Sequence, residues 1–393
     1  MDQKNFNTIL THTGTHLRGM KMGVPKVPPI VMNCAYTYTD REALEASLRF
    51  ENEDHDYGRC GNATNDMVRD IIAAADEAAG AQVYATGLGA ILVTVTSQVQ
   101  AGDHIIMSSI VFGGTFNQIV NQLSKRYGVE VSVVDFNEDL EPYFKPNTKL
   151  VYMETIANPT IVVQDIEKIA AQAHAHGAKL CVDNTFATPI VCQPLKHGAD
   201  FAVYSATKFM NGHSDIMAGA VAIKNEEDVD KITRQGHVFG PTMSPFDAWL
   251  LLRSMRTLEV RMKAHCANAM KLAEYLKTNK KVLSIAYPGL KDDPGHEIAN
   301  RLFNNGLYGG MVTIDLGTYE NVMFTMDKFD YVKMIPSLGS FSTSFSDTRT
   351  SHSGMSAEDR AKCNIKDGLM RISVGLENVD DIIADFERVL GML

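Results

Sequence analysis

Tryptophan occurs once in 393 residues, and cysteine only six times. The six, Cys34, Cys60, Cys181, Cys192, Cys266 and Cys363, are scattered and form no Cys-x-x-Cys pair. That excludes a disulfide-framed secreted scaffold and a cysteine zinc centre, and it fits a reducing compartment. His174, His176, His213 and His352 show no ligand spacing, so no metal is assigned. Positive charge is in deficit, with 37 Lys and Arg against 47 Asp and Glu and a net charge of −10. A nucleic-acid footprint is therefore not expected. No apolar run is long enough for a membrane helix, and none follows Met1 as a signal peptide would require. The expectation is a cytoplasmic protein without membrane or nucleic-acid partners. Nucleotide-phosphate loops are missing too. Leu92 stands where a third glycine would complete a dinucleotide fingerprint after Gly87 and Gly89, and no Gly-x-x-x-x-Gly-Lys-Ser/Thr occurs.

What is present describes an ordinary globular chain, 45% hydrophobic and 21% charged, long enough for two or three domains. Residues 1–60 are punctuated by Gly19, Gly23, Pro25, Pro28 and Pro29 and read as an arm that needs another surface to lie on. A helix is expected over 66–79 with Asn65 as its cap. From Gly80 onward strands alternate with helices, the mark of an α/β domain built on a mainly parallel sheet with helices on both faces. Strands are expected at 81–85, 105–108, 129–135, 149–154, 180–182 and 201–204, and helices at 91–99 and 165–176. Ser244 and Pro245 open a long helix expected to run to 276. A smaller α+β domain is placed from 256, with strands at 282–287 and 309–315 and a closing helix at 380–390. Residues 340–353, rich in Ser and Thr, read as a loop near the site. The expected units are thus an arm at 1–60, a cofactor domain at 61–255 and a C-terminal domain at 256–393.

The chemistry concentrates after the strand at 201–204. Lys208 follows Ser205 and Thr207 and is flanked by Val203, Tyr204, Phe209 and Met210. Apolar neighbours desolvate an amine, lower its pKa and favour the neutral nucleophile that Schiff-base chemistry needs. The hydroxyls of Ser205 and Thr207 suit a phosphate. Together they suggest a lysine joined to pyridoxal 5′-phosphate. That cofactor absorbs carbanion charge only while its ring nitrogen is protonated, so a buried carboxylate must face it. Asp183, at a strand end, is placed for that, and Asn158 for the phenolic oxygen. The turn at Gly87 and Leu88, heading a helix, suits a phosphate. Phe112, beside two glycines, either stacks on a flat ring or enters the core. In open α/β sheets ligands sit at the carboxyl ends of the strands, where Asn158, Asp183 and Ser205 to Lys208 all fall. Arg371, inside an apolar strand, needs an anion and suits a substrate α-carboxylate.

Those residues stand in motifs: Tyr57-x-Arg59, Glu154 with Asn158-Pro159-Thr160, Asp183-Asn184-Thr185, Ser205-x-Thr207-Lys208 with Gly212-His213-Ser214-Asp215, Ser337-Leu338-Gly339, and Arg371-x-Ser373-Val374-Gly375. Over nearly the whole chain the set resembles the pyridoxal-phosphate enzymes of cysteine and methionine metabolism. That family contains methionine γ-lyase, cystathionine lyases, cystathionine γ-synthase and O-acetylhomoserine sulfhydrylase. The resemblance implies the aspartate-aminotransferase-like architecture, fold type I, and a homotetramer built as a dimer of dimers with shared sites. It implies that Lys208 carries the cofactor and moves protons, and that Asp183 holds the ring nitrogen. Gly87, Leu88, Ser205 and Thr207 would hold the phosphate, with Tyr57 and Arg59 arriving from the neighbouring subunit. Arg371, Ser337 and Asn158 would take the amino-acid substrate. The implied activity is a carbon–sulfur lyase, and its rival is a γ-replacement synthase. The chain departs from the family pattern at Phe112, where a tyrosine is usual, at Gly114, at Pro336 and at Ala63. Phe112 keeps a stacking ring and loses a proton-moving hydroxyl, which leaves Tyr57 as an alternative donor.

The cross-subunit role of Arg59 is testable by mixing. Arg59→Ala and Lys208→Ala, each inactive alone, should recover activity when combined, because hybrid dimers contain one intact site. No recovery in verified hybrids would place Arg59 elsewhere.

Overall fold

The structure is a computed structural model, and it describes residues 5–15, 25–49, 51, 55–351, 358, 360 and 365–393. Gly19, Gly23, His352 and Cys363 lie outside the described residues.

Apolar runs that turn polar at their carboxyl ends build the larger sheet. Its strands are β1 (Gly80–Tyr84), β2 (His104–Ser108), β3 (Glu130–Val134), β4 (Thr148–Glu154), β5 (Lys179–Asp183), β6 (Phe201–Tyr204) and β7 (Gly219–Ile223). The order is β1-β7-β6-β5-β4-β2-β3. Only β7 runs against the others, pairing antiparallel with both β1 and β6. Alternation along the strands separates two apolar clusters. Val151, Met153, Leu180, Val182, Ala202 and Tyr204 face one of them. Leu150, Tyr152, Cys181, Phe201 and Val203 face the other. A second sheet, in the order β10-β11-β12-β9-β8, holds β8 (Ser284–Ala286), β9 (Met311–Asp315), β10 (Lys333–Met334), β11 (Ser344–Asp347) and β12 (Leu369–Ser373). It has its own core around Tyr287, Ile314, Phe345 and Phe386.

Several elements depart from expectation for local reasons. The helix expected at 66–79 spans Ala63–Asp76, because Asn62 is extended and its side chain accepts from the Thr64 amide. Asn65 instead sits inside the first turn and donates to the Met243 carbonyl. The helix after β1 starts at Gly87, four residues early, where the Thr86 hydroxyl accepts from the Gly89 amide at 2.9 Å. The long helix expected from 245 is two helices, Pro245–Met255 and Leu258–Thr278. Two arginines, one at the break and one a turn beyond it, bind distant backbone. Arg256 reaches the carbonyls of Leu10, Thr13 and Gly14, and Arg261 those of Phe209, Met210 and Ser254. The strand expected at 282–287 shrinks to Ser284–Ala286, and the loop expected at 340–353 contains β11 and a turn of helix, Thr348–Ser351.

Described parts of the N-terminal arm find anchors on their own chain. Leu10 is fully buried, Trp249 donates to the Pro28 carbonyl, and Val31 pairs with Asn62 and Thr64.

Gly219, the first residue of β7, lies against the turn that precedes the Gly87–Gln98 helix. A Cβ there would overlap the Thr86 carbonyl and sit 2.9 Å from the Gly87 amide. Both are backbone atoms and cannot swing aside. Gly219→Ala should therefore cost about 1–3 kcal/mol of stability, read as a lower melting temperature, and should weaken cofactor retention through the displaced turn. A variant that melts and holds cofactor like the wild type would show that the turn yields freely.

Candidate active site

The parallel strands deliver their carboxyl ends to one edge, and the loops that follow them line a cavity of about 650 Å³. Gly87 and Leu88 follow β1, Phe112 follows β2, and Asn158 lies just past β4, which itself ends at Glu154. Asp183 ends β5, and Ser205, Thr207 and Lys208 follow β6. The smaller sheet closes the cavity with Pro336, Ser337, Leu338, Thr350 and Arg371.

The Lys208 amine donates to the Ser337 hydroxyl at 2.9 Å. Burial, and after it the Arg371 guanidinium, pushes its pKa down to about 8. At pH 7 about one amine in ten is then neutral, against roughly one in three thousand for an ordinary lysine. Arg371 is buried and held from two sides, donating to the Asn158 side-chain oxygen at 2.7 Å and to the Ser337 carbonyl at 3.4 Å. Burial lowers its pKa to about 10, so it stays charged at neutral pH. Its Nε is buried without a hydrogen-bond partner.

Glu154 and Asp183 are register partners in adjacent strands. Burial, then the charge of Asp183, raises the Glu154 carboxyl well above the usual range, against the lowering effect of the Phe112 and Asn158 amides and of Arg371. Those amides donate to its two oxygens at 2.6 and 2.9 Å. Burial likewise raises Asp183, and the Thr185 hydroxyl and amide oppose it. Thr185 donates to Asp183 through both groups and accepts from the Ser205 amide at 2.8 Å. Tyr152 adds a long contact to Asp183 at 3.4 Å.

The first-turn amides of the Gly87–Gln98 helix have no partner within the helix. A Cβ at Gly87 would stand 2.7 Å from the Ser205 side chain, so the two segments meet only because Gly87 has none. Thr207 is already engaged, accepting from the Ala218 amide and donating to its carbonyl. Phe112 is partly exposed on the cavity wall. Tyr57 and Arg59 are not on this wall. Tyr57 is half exposed, and Arg59 donates to the His237 carbonyl at 2.5 Å beside a separate small cavity. Glu154 and Thr185 lie inside motifs quoted above, yet no role was expected of them. The strand-end position that put Asp183 in the site would have found Glu154, its register partner at the end of the neighbouring strand. Thr350, from the Ser/Thr-rich stretch expected near the site, also lines the cavity, as does Met217, which carried no sequence signal.

The donor set fits pyridoxal phosphate. A depressed lysine faces a cavity, a buried carboxylate stands ready for a protonated ring nitrogen, and a side-chain-free cradle lies at a helix start. The Arg371 Nε–H suits the carboxylate of an amino acid. Among the described residues no cluster of His, Cys, Asp or Glu could hold a metal, and no helix is long and apolar enough to cross a membrane.

Comparison with known proteins points the same way. A profile of the Cys/Met metabolism PLP-dependent enzyme family matches residues 7–391. The chain is 38% identical over 369 residues to an L-methionine gamma-lyase of Fusobacterium nucleatum subsp. polymorphum, covering 92% of each. It is 38% identical over 341 residues to a cystathionine beta-lyase of Lactococcus lactis subsp. cremoris, covering 86% of this chain and 89% of the relative. A crystal structure from Campylobacter jejuni subsp. jejuni, assigned as an O-acetylhomoserine (thiol)-lyase, superposes with a TM-score of 0.94 at 27% identity. The match covers 99% of this chain and all of that one, which carries a pyridoxyl-lysine phosphate. The cofactor is pyridoxal phosphate and the fold is fold type I.

Because only the neutral amine attacks a carbonyl, capture of pyridoxal phosphate by the apoprotein should quicken as pH rises. The rate should reach half its maximum near pH 8, where an ordinary lysine would do so near 10.4. Stopped-flow absorbance across the pH range reads this, with borohydride reduction and mass spectrometry locating the adduct on Lys208. A midpoint near the ordinary value, or an adduct on another lysine, would refute the assignment.

Proposed function

The chain belongs to the Cys/Met metabolism PLP-dependent enzyme family, and we propose that within it the protein is a carbon–sulfur lyase. It eliminates the side-chain thiol of a sulfur amino acid such as methionine, homocysteine or cystathionine and releases an oxoacid and ammonia. One observation carries the reading. A lysine with a depressed pKa and a buried arginine with an unpartnered Nε–H share one cavity.

When bound, the cofactor supplies an electron sink for charge developing on the substrate carbons. Asp183 would hold the proton on its ring nitrogen, and Gly87, Leu88 and Ser205 its phosphate, with Thr207 beside them. Phe112 would cover its face, and Asn158 and Arg371 would orient the substrate carboxylate. The Lys208 amine takes the α-proton at Nζ and returns it further along the side chain, with a pKa close to the working pH as general-base catalysis requires. The charged groups on the described wall are Glu154, Asp183, Lys208 and Arg371, and the remaining wall includes Ile91, Phe112, Met217, Pro336 and Leu338. Such a wall favours a neutral thioether or thiol side chain. Tyr57 and Arg59 complete a neighbour's site in a cytoplasmic homotetramer. Their position away from their own cavity supports this, as does the exposure of Met32, Val238, Phe239 and Phe246.

The ring at Phe112 favours one rival, γ-replacement on an O-acylated homoserine. A phenyl ring cannot protonate a departing thiolate, whereas an O-acylated homoserine releases a carboxylate anion, a weak base that leaves without that help. A substrate panel separates the two. Oxoacid from methionine, homocysteine or cystathionine is expected, and product formed only from O-acetylhomoserine plus sulfide would overturn the lyase. Phe112→Tyr should raise γ-elimination at least about tenfold if a hydroxyl is the missing proton donor. An unchanged rate would leave the ring as a stacking surface alone.

A further inference from the structure

Beneath the cavity, on the opposite face of the large sheet, lies a chain of hydrogen bonds between fully buried side chains. Asp76, the last residue of the Ala63–Asp76 helix, accepts from the Tyr204 hydroxyl with both oxygens at 2.8 Å. The Asn184 amide donates to the same hydroxyl at 3.2 Å, and its side-chain oxygen accepts from the Thr155 hydroxyl at 2.7 Å. Asp76, Asn184 and Thr155 are fully buried, and Tyr204 is 1% exposed.

Each link after Asp76 is the chain neighbour of a cavity residue. Thr155 follows Glu154, Asn184 follows Asp183, and Tyr204 precedes Ser205. Successive residues of a strand point to opposite faces. The cavity side chains therefore stand on one side of the three strand ends, and these polar side chains on the other. Tyr204 and its neighbours Val182 and Ala202 belong to the apolar cluster on that second side. The backbone joins the same ends, through Thr155 N–H to the Asp183 carbonyl and Asn184 N–H to the Val203 carbonyl. The placement of a carboxylate here is costly. Burial lifts the Asp76 carboxyl to about 7, although the Tyr204 hydrogen bond and Lys196 pull the other way. A wholly apolar tyrosine-free packing would avoid that cost.

We propose that Asp76, Tyr204, Asn184 and Thr155 form a brace that sets the spacing of the carboxyl ends of β4, β5 and β6, and that Tyr204 is a positioning residue for the site. The brace touches neither substrate nor cofactor. It acts by holding Glu154, Asp183 and Ser205 in one relative placement, so it concerns the cofactor and is indifferent to which sulfur amino acid is the substrate. Loss of the Tyr204 hydroxyl leaves the β5 and β6 ends joined by backbone alone and leaves the Asp76 carboxyl without its Tyr204 donor.

The test uses the holoenzyme. Tyr204→Phe should lower kcat by about ten- to a hundredfold, the scale of an ångström-sized misplacement, with KM changed by less than about twofold. It should also shift the visible absorption band of the bound cofactor and raise its dissociation constant from the apoprotein. Because Asp76→Leu removes the acceptor of the same link, the double variant should be no worse than Tyr204→Phe alone. If Tyr204→Phe does not fold, Thr155 provides the second route, at the far end from the buried carboxylate. There Thr155→Val should reproduce the cofactor effects, and Thr155→Ser, which keeps the hydroxyl, should restore them. A wild-type absorption band, cofactor affinity and kcat in the folded variants, whatever their melting temperature, would overturn the proposal and leave a purely structural cluster. The cofactor readouts stand even if every sulfur amino acid proves inert, so failure of the lyase assignment and failure of the brace are distinguishable.

Discussion

Two carboxylates, Glu154 and Asp183, face the same cavity from directly opposed positions in neighbouring parallel strands. Burial and mutual repulsion both disfavour their charged forms, and the surroundings act mostly to counter that. Two backbone amides bind Glu154, and a hydroxyl and an amide from Thr185 bind Asp183. The fixed positive charge near Glu154 comes from Arg371, carried in on the other sheet. Arg371 is itself held by a hydrogen bond to the Asn158 side-chain oxygen at 2.7 Å, just past β4. That bond ties the two sheets together at the site and orients the arginine.

The same seam governs the lysine. Its amine touches Ser337, and the turn at Gly339 packs so closely on Phe209 that a Cβ there would lie 2.6 Å from the Phe209 amide. The Gly339 amide is in turn held by the Ser373 hydroxyl at 2.8 Å, in the strand that carries Arg371. Lysine, arginine and the Ser337-Leu338-Gly339 turn are therefore linked by one set of contacts. The desolvation that depresses the Lys208 pKa depends on both sheets being in contact.

Much of this was legible in the sequence, for a physical reason. A parallel sheet covered on both faces needs apolar strands, so the polar residues that interrupt them mark the strand ends, and the strand ends are where ligands bind. Lys208, Asp183 and Asn158 could be read that way. Elements set by distant partners could not. Nothing local marks the helix break after Met255, since Arg256-Thr257 holds neither proline nor glycine, and all but the Ser254 carbonyl among those the two arginines satisfy lie far away in the chain. By composition β11, Ser344-Phe345-Ser346-Asp347, reads as a loop because it is too polar for a strand. It is a strand because β12 pairs with it along its whole length. The hydroxyl of Thr207 looked available for a phosphate, but its engagement by Ala218 depends on the return of β7, which no local pattern announces.

The paired arginines at that helix break bear on how the molecule can be divided. Arg256 gathers three carbonyls from the N-terminal helix and the residues after it, and Arg261 gathers three from the lysine turn and the end of the preceding helix. Backbone oxygens buried without donors are costly. Severing the chain here would strip all six from a fragment carrying the large sheet, at the foot of the lysine turn itself. An engineer seeking a minimal cofactor-binding scaffold could not simply excise the first 255 residues. The donors that finish the backbone of the larger unit are encoded just beyond the cut, so a division there would leave the larger unit short of its own hydrogen-bond partners.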